Sequence, residues 1–245
     1  MKYIQVLVLM GYFSLSFLHA QSPYTFNPDL EPRLTLGTLL LNSGVSIIQR
    51  DLVPLEIEEI MTFDASSVNG FDRIATQNWR PKVSDISDVV LATSVVIPLT
   101  LGLDNGISEN YNDISLLWLQ TLSINYLVTS LTKVIFQRKR PYTYHPDTEL
   151  RRIINTPEKT RRNARLSFFS GHTSTAASMS FMFAQTYNDF YPDKSARYGV
   201  WAGAALIPAA MGFMRVHAGK HYPTDVIVGY IVGAAVGILV PRLHK

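Results

Sequence analysis

The chain has 245 residues, of which 47% are apolar and only 17% charged; this excludes a disordered polypeptide and suffices for one large core or several membrane helices. The net charge is a modest +3, and the lack of any cysteine excludes disulfides and thiolate metal sites. A mean hydropathy of +0.10 leaves open both a soluble helical protein and a membrane protein with long polar loops.

Met1-Lys2, an apolar run from Tyr3 to about Leu18 and the ending Leu18-His19-Ala20 read as a secretory signal peptide over residues 1–20, cut after Ala20. The other reading is an uncleaved anchor helix. No cysteine follows the cut, so lipoprotein anchoring is not indicated. From Gln21 to Arg33, three prolines (Pro23, Pro28, Pro32) predict an extended lead-in. Leu34 to Ile48, broken by Asn42 and Ser43, predicts an amphipathic or buried helix rather than a span. Gln49 to Ser87 mixes acids, Gly70, Pro81 and scattered apolar residues, which predicts short helices and loops. Residues 21–87 are therefore expected to form an extension and cover over a core of residues 88–245.

Within that core the runs Val89 to Leu103, Ile114 to Leu131, Tyr198 to Met214 and Val226 to Val240 predict long apolar helices. Thr173 to Phe190 predicts another, dense in alanine and serine, as expected where helices approach closely. Gly229, Gly233 and Gly237 give the last run a smooth small-residue face for packing. Several runs fall short of the roughly 20 residues a bilayer core demands, and Pro98 and Pro208 interrupt two of them. The expected fold is an all-α, multi-helix bundle, polytopic and membrane-embedded. The Lys194/Arg197 loop and the Arg242-to-Lys245 tail read as cytoplasmic, which puts the opposite end of the bundle in the periplasm; the other reading counts the basic residues between 133 and 165 as cytoplasmic, and is discounted because the motif cations are explained by chemistry.

A basic cluster runs from Lys133 through Arg138, Lys139, Arg140, Arg151, Arg152, Lys159, Arg161 and Arg162 to Arg165. Such a cluster attracts nucleic acid, anionic lipid or phosphorylated substrates alike. No nucleic-acid-binding module accompanies it, so nucleic acid is not expected as a partner. The arginines between residues 151 and 165 are expected to steer a multiply anionic substrate, the other reading being a solvated loop.

Three stretches combine the residue types that phosphate chemistry needs. Lys133 and Arg140-Pro141 place an ammonium and a guanidinium near a helix end, with proline expected to stop the helix; the same pattern also describes a plain solvated edge. Ser170-Gly171-His172 precedes the helix at Thr173, where a cap, exposed N–H groups and the helix dipole make an anion seat, or only a cap. His172 there could protonate a leaving alkoxide. Arg215, His221 and Asp225 follow between two apolar runs. Pro223-Thr224-Asp225 reads as a helix start, so Asp225 can accept one N–H of His221 and leave the other nitrogen to attack phosphorus. A loop histidine merely satisfied by a neighbouring acid remains the alternative.

Taken together, the three stretches resemble the type 2 phosphatidic acid phosphatases, whose superfamily includes bacterial class A acid phosphatases and vanadium haloperoxidases. The pattern Lys, six residues, Arg-Pro; Pro-Ser-Gly-His; Ser-Arg, five residues, His, three residues, Asp is met here except that Phe169 and Met214 stand for the usual proline and serine. The resemblance covers roughly Leu116 to Val240. It implies that Lys133, Arg140, Arg215, Ser170 and Gly171 hold the phosphoryl oxygens. His221 would be the nucleophile, Asp225 its orienting acid and His172 the proton donor, with no metal and no cofactor. The implied protein is an envelope lipid phosphatase, expected in the bacterial inner membrane with its site facing the periplasm and no obligate protein partner. Lipid A, undecaprenyl pyrophosphate and phosphatidylglycerophosphate are the candidate substrates, lipid A slightly favoured by the basic loop. Alternatives are a soluble periplasmic nonspecific acid phosphatase, a haloperoxidase and a non-enzymatic lipid-binding protein.

Overall fold

A computed structural model of the chain describes residues 22–245; the expected signal peptide lies outside the described residues. Among these residues every regular element is helical and no strand occurs. In chain order the helices are α1 (Leu30–Asp51), α2 (Ile57–Met61), α3 (Gly70–Arg73), α4 (Pro81–Val96), α5 (Tyr111–Phe136), α6 (Thr148–Ile154), α7 (Glu158–Asn163), α8 (Gly171–Phe190), α9 (Ala196–His217) and α10 (Pro223–Leu243). The expected all-α bundle is what forms, but its helices outrun the apolar runs that announce them.

The differences have local causes. The helix expected from Val89 begins at Pro81, the favoured first-turn position for proline. Its first turns are polar, so they carry no apolar signal, yet Ser84 and Ser87 are buried. Beyond Val96 the helix tightens into a 3-10 stretch over Ile97–Leu103, where Pro98 has no N–H to donate. Pro208 does not interrupt α9, which continues through it from Ala196 to His217. Nor does Pro141 end α5. The helix stops at Phe136, where Gln137 takes a left-handed conformation (φ 41°) and donates its N–H to the Lys133 carbonyl at 3.0 Å. Pro141 instead opens a short 3-10 turn over Pro141–Tyr144.

At the centre stands α8, flanked by α4, α5, α9 and α10. Its small side chains let α10 approach to backbone contact: a Cβ on Gly229, Gly233 or Gly237 would lie 2.7, 2.1 or 2.3 Å from the carbonyl oxygen of Ser170, Ser174 or Ser178. The four-residue steps match on both helices, so α8 and α10 run parallel with a fixed register. That register brings the start of α8 against the start of α10, and the Ser170 N–H donates to the Asp225 carbonyl at 3.0 Å.

Four helical segments are long and apolar enough to cross a membrane: Pro81–Leu103, Ser108–Tyr144, Ala196–His217 and Pro223–Leu243. Apolar side chains on them face outward, among them Val89, Val96, Ile135, Leu206, Phe213, Ile231 and Leu239. A surface so apolar on helices of this length belongs in a bilayer, which sets the soluble alternative aside. The helix foreseen over Leu34–Ile48 forms as α1, and lies parallel to α5 through Gln120 to Glu31 (2.7 Å), Asn42 to the Ser123 carbonyl (3.0 Å) and Gln49 to the Ser130 carbonyl (3.1 Å).

The arginines expected to steer substrate mostly do something else. Arg151 is buried and donates to the Phe63 carbonyl at 2.9 Å; Arg161 and Arg162 reach the carbonyls of Leu55 and Leu52, and Arg165 reaches Gln137. Arg151, Arg161 and Arg162 tie the loop after α5 to the covering segment before α3 and satisfy carbonyls that have no helical partner, whereas Arg165 stays within the loop. Arg152 alone of the five points outward, beside Glu149.

Candidate active site

The C-terminal ends of α5 and α9 and the N-terminal ends of α4, α8 and α10 meet at one end of the bundle, and each contributes. Helix N-termini carry partial positive charge and unpaired N–H groups, so this end favours an anion before any side chain is counted. The opposite end holds the chain's tail, where Lys245 pairs with Asp189 at 2.7 Å and the Thr25 N–H meets the His244 carbonyl at 2.6 Å.

Lys133, one turn before the end of α5, donates to the Leu166 carbonyl at 3.2 Å. Arg140 reaches the same carbonyl at 3.2 Å from the turn beyond, and also the carbonyls of Asn163 (2.9 Å) and Lys220 (3.1 Å). Two cations 7 residues apart in sequence are thus gathered on one oxygen. Lys133 also adjoins the start of α8, since a Cβ on Gly171 would lie 3.7 Å from its ammonium. Ser170, fully buried, caps α8: its Oγ lies 3.0 Å from Thr173 Oγ1 and 3.4 Å from the Thr173 N–H. The capping reading of this serine is therefore realised, with its backbone against the start of α10 at Asp225 and Gly229.

His221 sits in the tight turn between α9 and α10, 1% exposed. The turn closes through Gly219, whose φ of 72° suits glycine and whose absent side chain admits the Asn78 backbone. Both the Lys220 and His221 N–H groups return to the Arg215 carbonyl, at 3.0 and 3.3 Å, so the third stretch folds onto itself. The Nε2 of His221 faces an Arg140 guanidinium nitrogen at 3.4 Å, and its Nδ1 lies 3.5 Å from Asp225 Oδ2. An arginine nitrogen can only donate, so these neighbours assign the lone pair to Nε2 and the proton to Nδ1. The Nδ1–Asp225 distance is too long for a formed hydrogen bond, and Nδ1 has no other partner. Burial, with Arg140, Lys133 and Arg215 around the ring, holds His221 well below the ordinary imidazole range, so it is neutral.

Asp225 is itself fully buried and densely bonded. The Tyr222 N–H (3.0 Å) and Ser167 hydroxyl (2.6 Å) donate to Oδ2, and Arg138 donates to Oδ1 at 2.5 Å. Arg138 also pairs with the buried Asp72 at 2.7 Å and lies over the Tyr222 ring at 4.0 Å. Asp72 in turn accepts from the Thr224 N–H (3.0 Å) and hydroxyl (2.7 Å) at the start of α10. None of Arg138, Ser167 or Asp72 stands out in the sequence as part of a site. Arg138 is masked by the run of basic residues around it, and Asp72 lies in the irregular covering segment.

Elsewhere in the cluster, Arg215 is buried and donates to Ser87 (2.8 Å), Ser84 (3.3 Å) and Asp88 (3.4 Å). Asp88 also receives His172 Nε2 at 2.7 Å. These three residues of α4 precede the apolar run from Val89, and only their i, i+3 and i+4 spacing along one helix face could have marked them. Burial and Arg215 push His172 down to about 4, against the pull of Asp88. All eight residues singled out in the sequence belong to this one cluster. It offers a neutral, lone-pair-bearing imidazole, a second imidazole and three cations around a common space.

A family model described as the PAP2 superfamily matches residues 115–245. The lipid A 4'-phosphatase of Porphyromonas gingivalis is 30% identical over 129 residues, which are 51% of this chain and 48% of that protein. The decaprenylphosphoryl-5-phosphoribose phosphatase of Mycolicibacterium smegmatis is 37% identical over 97 residues, 40% of this chain and 42% of that protein. The chain thus spans less than half the length of the curated relatives it matches. Among solved structures, the transmembrane PAP2-type phosphatidylglycerolphosphate phosphatase from Bacillus subtilis has a TM-score of 0.49 and 20% identity, over 87% of this chain and 94% of that one. The family match takes in more than half of the chain and contains Lys133, Arg140, Ser170, Gly171, His172, Arg215, His221 and Asp225: the chain belongs to the PAP2 superfamily.

Proposed function

We propose that the protein is a lipid phosphate phosphatase that works through a phosphohistidine and needs no metal. The observation that carries this reading is the setting of His221: a buried neutral ring with Nε2 turned to Arg140, Nδ1 to Asp225, and Lys133 and Arg215 close by. Lys133, Arg140 and Arg215, with the N–H groups at the start of α8, hold the phosphoryl oxygens and offset the charge that develops on them. His221 Nε2 attacks phosphorus as the ester P–O bond breaks, and His172 gives its proton to the leaving oxygen. Asp225 stabilises the cation left on His221. Water then attacks the phosphohistidine, loses a proton to His172, and releases inorganic phosphate.

The substrate class follows from the setting and the relatives. The site lies at one end of helices long enough to cross a bilayer, where a lipid headgroup would sit. Both curated relatives are named for phosphate removal from lipids, lipid A in one and a prenyl-linked phosphoribose in the other. We therefore place a phosphomonoester on a lipid-borne sugar, lipid A first, ahead of undecaprenyl pyrophosphate and phosphatidylglycerophosphate. Phosphate release across these three lipids and a soluble aryl phosphate is the test. Lipid A should be turned over fastest, with activity unchanged by EDTA because three side-chain cations do the work of a metal; loss of all activity on chelation would overturn the metal-free reading.

The site is proposed to face the periplasm of the inner membrane, since Lys194, Arg197 and the Arg242–Lys245 tail lie at the end away from it. With no native cysteine to interfere, single cysteines can report this. In spheroplasts a membrane-impermeant maleimide should label Arg152→Cys and spare Lys194→Cys. The reverse pattern would invert the topology.

A further inference from the structure

We propose that Asp88 is a positioning residue for the reaction, the carboxylate that orients His172 and favours its protonated form as the proton donor. The inference rests on the phosphatase reading above. Asp88 stands on α4, outside the segment matched by the family model, so nothing in the three sequence stretches assigns it a role. Its Oδ1 lies 2.7 Å from His172 Nε2 and 3.4 Å from Arg215, and its side chain is 60% exposed.

The need for such a residue comes from the cations. A site built to hold a phosphate puts Arg215 from α9 and Arg140 from the turn after α5 beside His172. Both disfavour a positive charge on its ring, whereas the proton donor must carry one when the ester bond breaks. Asp88 is the carboxylate in contact with that ring. Ser84 and Ser87 hold Arg215 one turn before and beside it, so the same face of α4 fixes both groups. Because Nε2 donates to Asp88, the proton that leaves the charged ring is the one on Nδ1. The electron pair of the broken P–O bond stays on the leaving oxygen, takes that proton, and His172 becomes neutral.

Leaving groups separate this role from a structural one. An alkoxide leaves poorly unless protonated, whereas p-nitrophenolate leaves without help. With Asp88→Asn, kcat/KM for a short-chain phosphatidate should fall about 10²-fold, the usual worth of a placed general acid. For p-nitrophenyl phosphate it should stay within about threefold. The sign of the pH effect is fixed: His172 is active when protonated, so kcat/KM for the phosphatidate falls as pH rises through its pKa. Loss of the carboxylate moves that alkaline limb to lower pH, and Asp88→Glu moves it back with most of the rate. An equal fall for both substrates, a rise for either, or no change would overturn the proposal. Failure of the phosphatase reading itself looks different, as a wild-type protein that releases no phosphate or a His221→Ala variant as active as wild type.

Discussion

His221→Ala should lower kcat/KM for phosphate release by about 10⁴-fold or more, the scale on which loss of a nucleophile within a cooperating group acts. The reason is specific to the ring's surroundings. Three cations can hold a phosphoryl group and still leave it unreacted, because the other imidazole, His172, is engaged through Nε2 with Asp88 and serves as the proton donor. The variant should remain folded, since the ring is neutral and its Nδ1 has no formed hydrogen bond to lose. Thermal unfolding in detergent close to that of the wild type would establish this. Rapid acid-free quenching of the wild type with a ³²P-labelled substrate should trap a protein-bound phosphate that is stable to base and lost in acid, as a phosphoramidate is. The variant should trap none. Residual activity within tenfold of the wild type would remove His221 from the reaction and with it the phosphohistidine.

The parts of this arrangement that could be read in advance are those encoded locally. Apolar runs located all five long core helices, and the Pro223-Thr224-Asp225 signature located the start of α10, where Asp225 Oδ2 does accept the Tyr222 N–H. Helices extend past their apolar runs because polar first turns, such as Pro81 to Asp88, lie against the site instead of the bilayer or core and so leave no apolar period. The partners of the site residues were not legible for a different reason. Asp72, Asp88 and Ser167 meet Arg138, His172 and Asp225 respectively across 58 to 84 residues of chain, and no local period encodes such pairs. Charge pattern also misled: Arg151, Arg161 and Arg162 look like a substrate funnel in sequence, yet their guanidinium groups answer orphan carbonyls of the covering segment. A basic run reports how many cations are present and says nothing of which are already engaged.

Arg138 is the engaged cation with the most to lose, and Arg138→Leu should destabilise the protein by about 3 kcal/mol. It bridges Asp72 and Asp225, which are 1% and 0% exposed, at 2.7 and 2.5 Å. Removing it leaves two buried carboxylates uncompensated, which ordinarily costs about 3–5 kcal/mol. The lower end applies because Arg138 is itself 27% exposed and water can enter beside it. Activity should fall as well, because Arg138 fills one oxygen of Asp225 and so keeps the other turned toward Tyr222, Ser167 and His221. The double variant Arg138→Leu, Asp72→Asn separates the two effects. Neutralising Asp72 removes one of the stranded charges, so stability should recover in part, by an amount a double-mutant cycle measures. Activity should not recover, because Asp225 still lacks its partner. Wild-type thermal stability in Arg138→Leu would mean that the two carboxylates take up protons or water without strain, and that the bridge is not what holds Asp225 beneath the nucleophile.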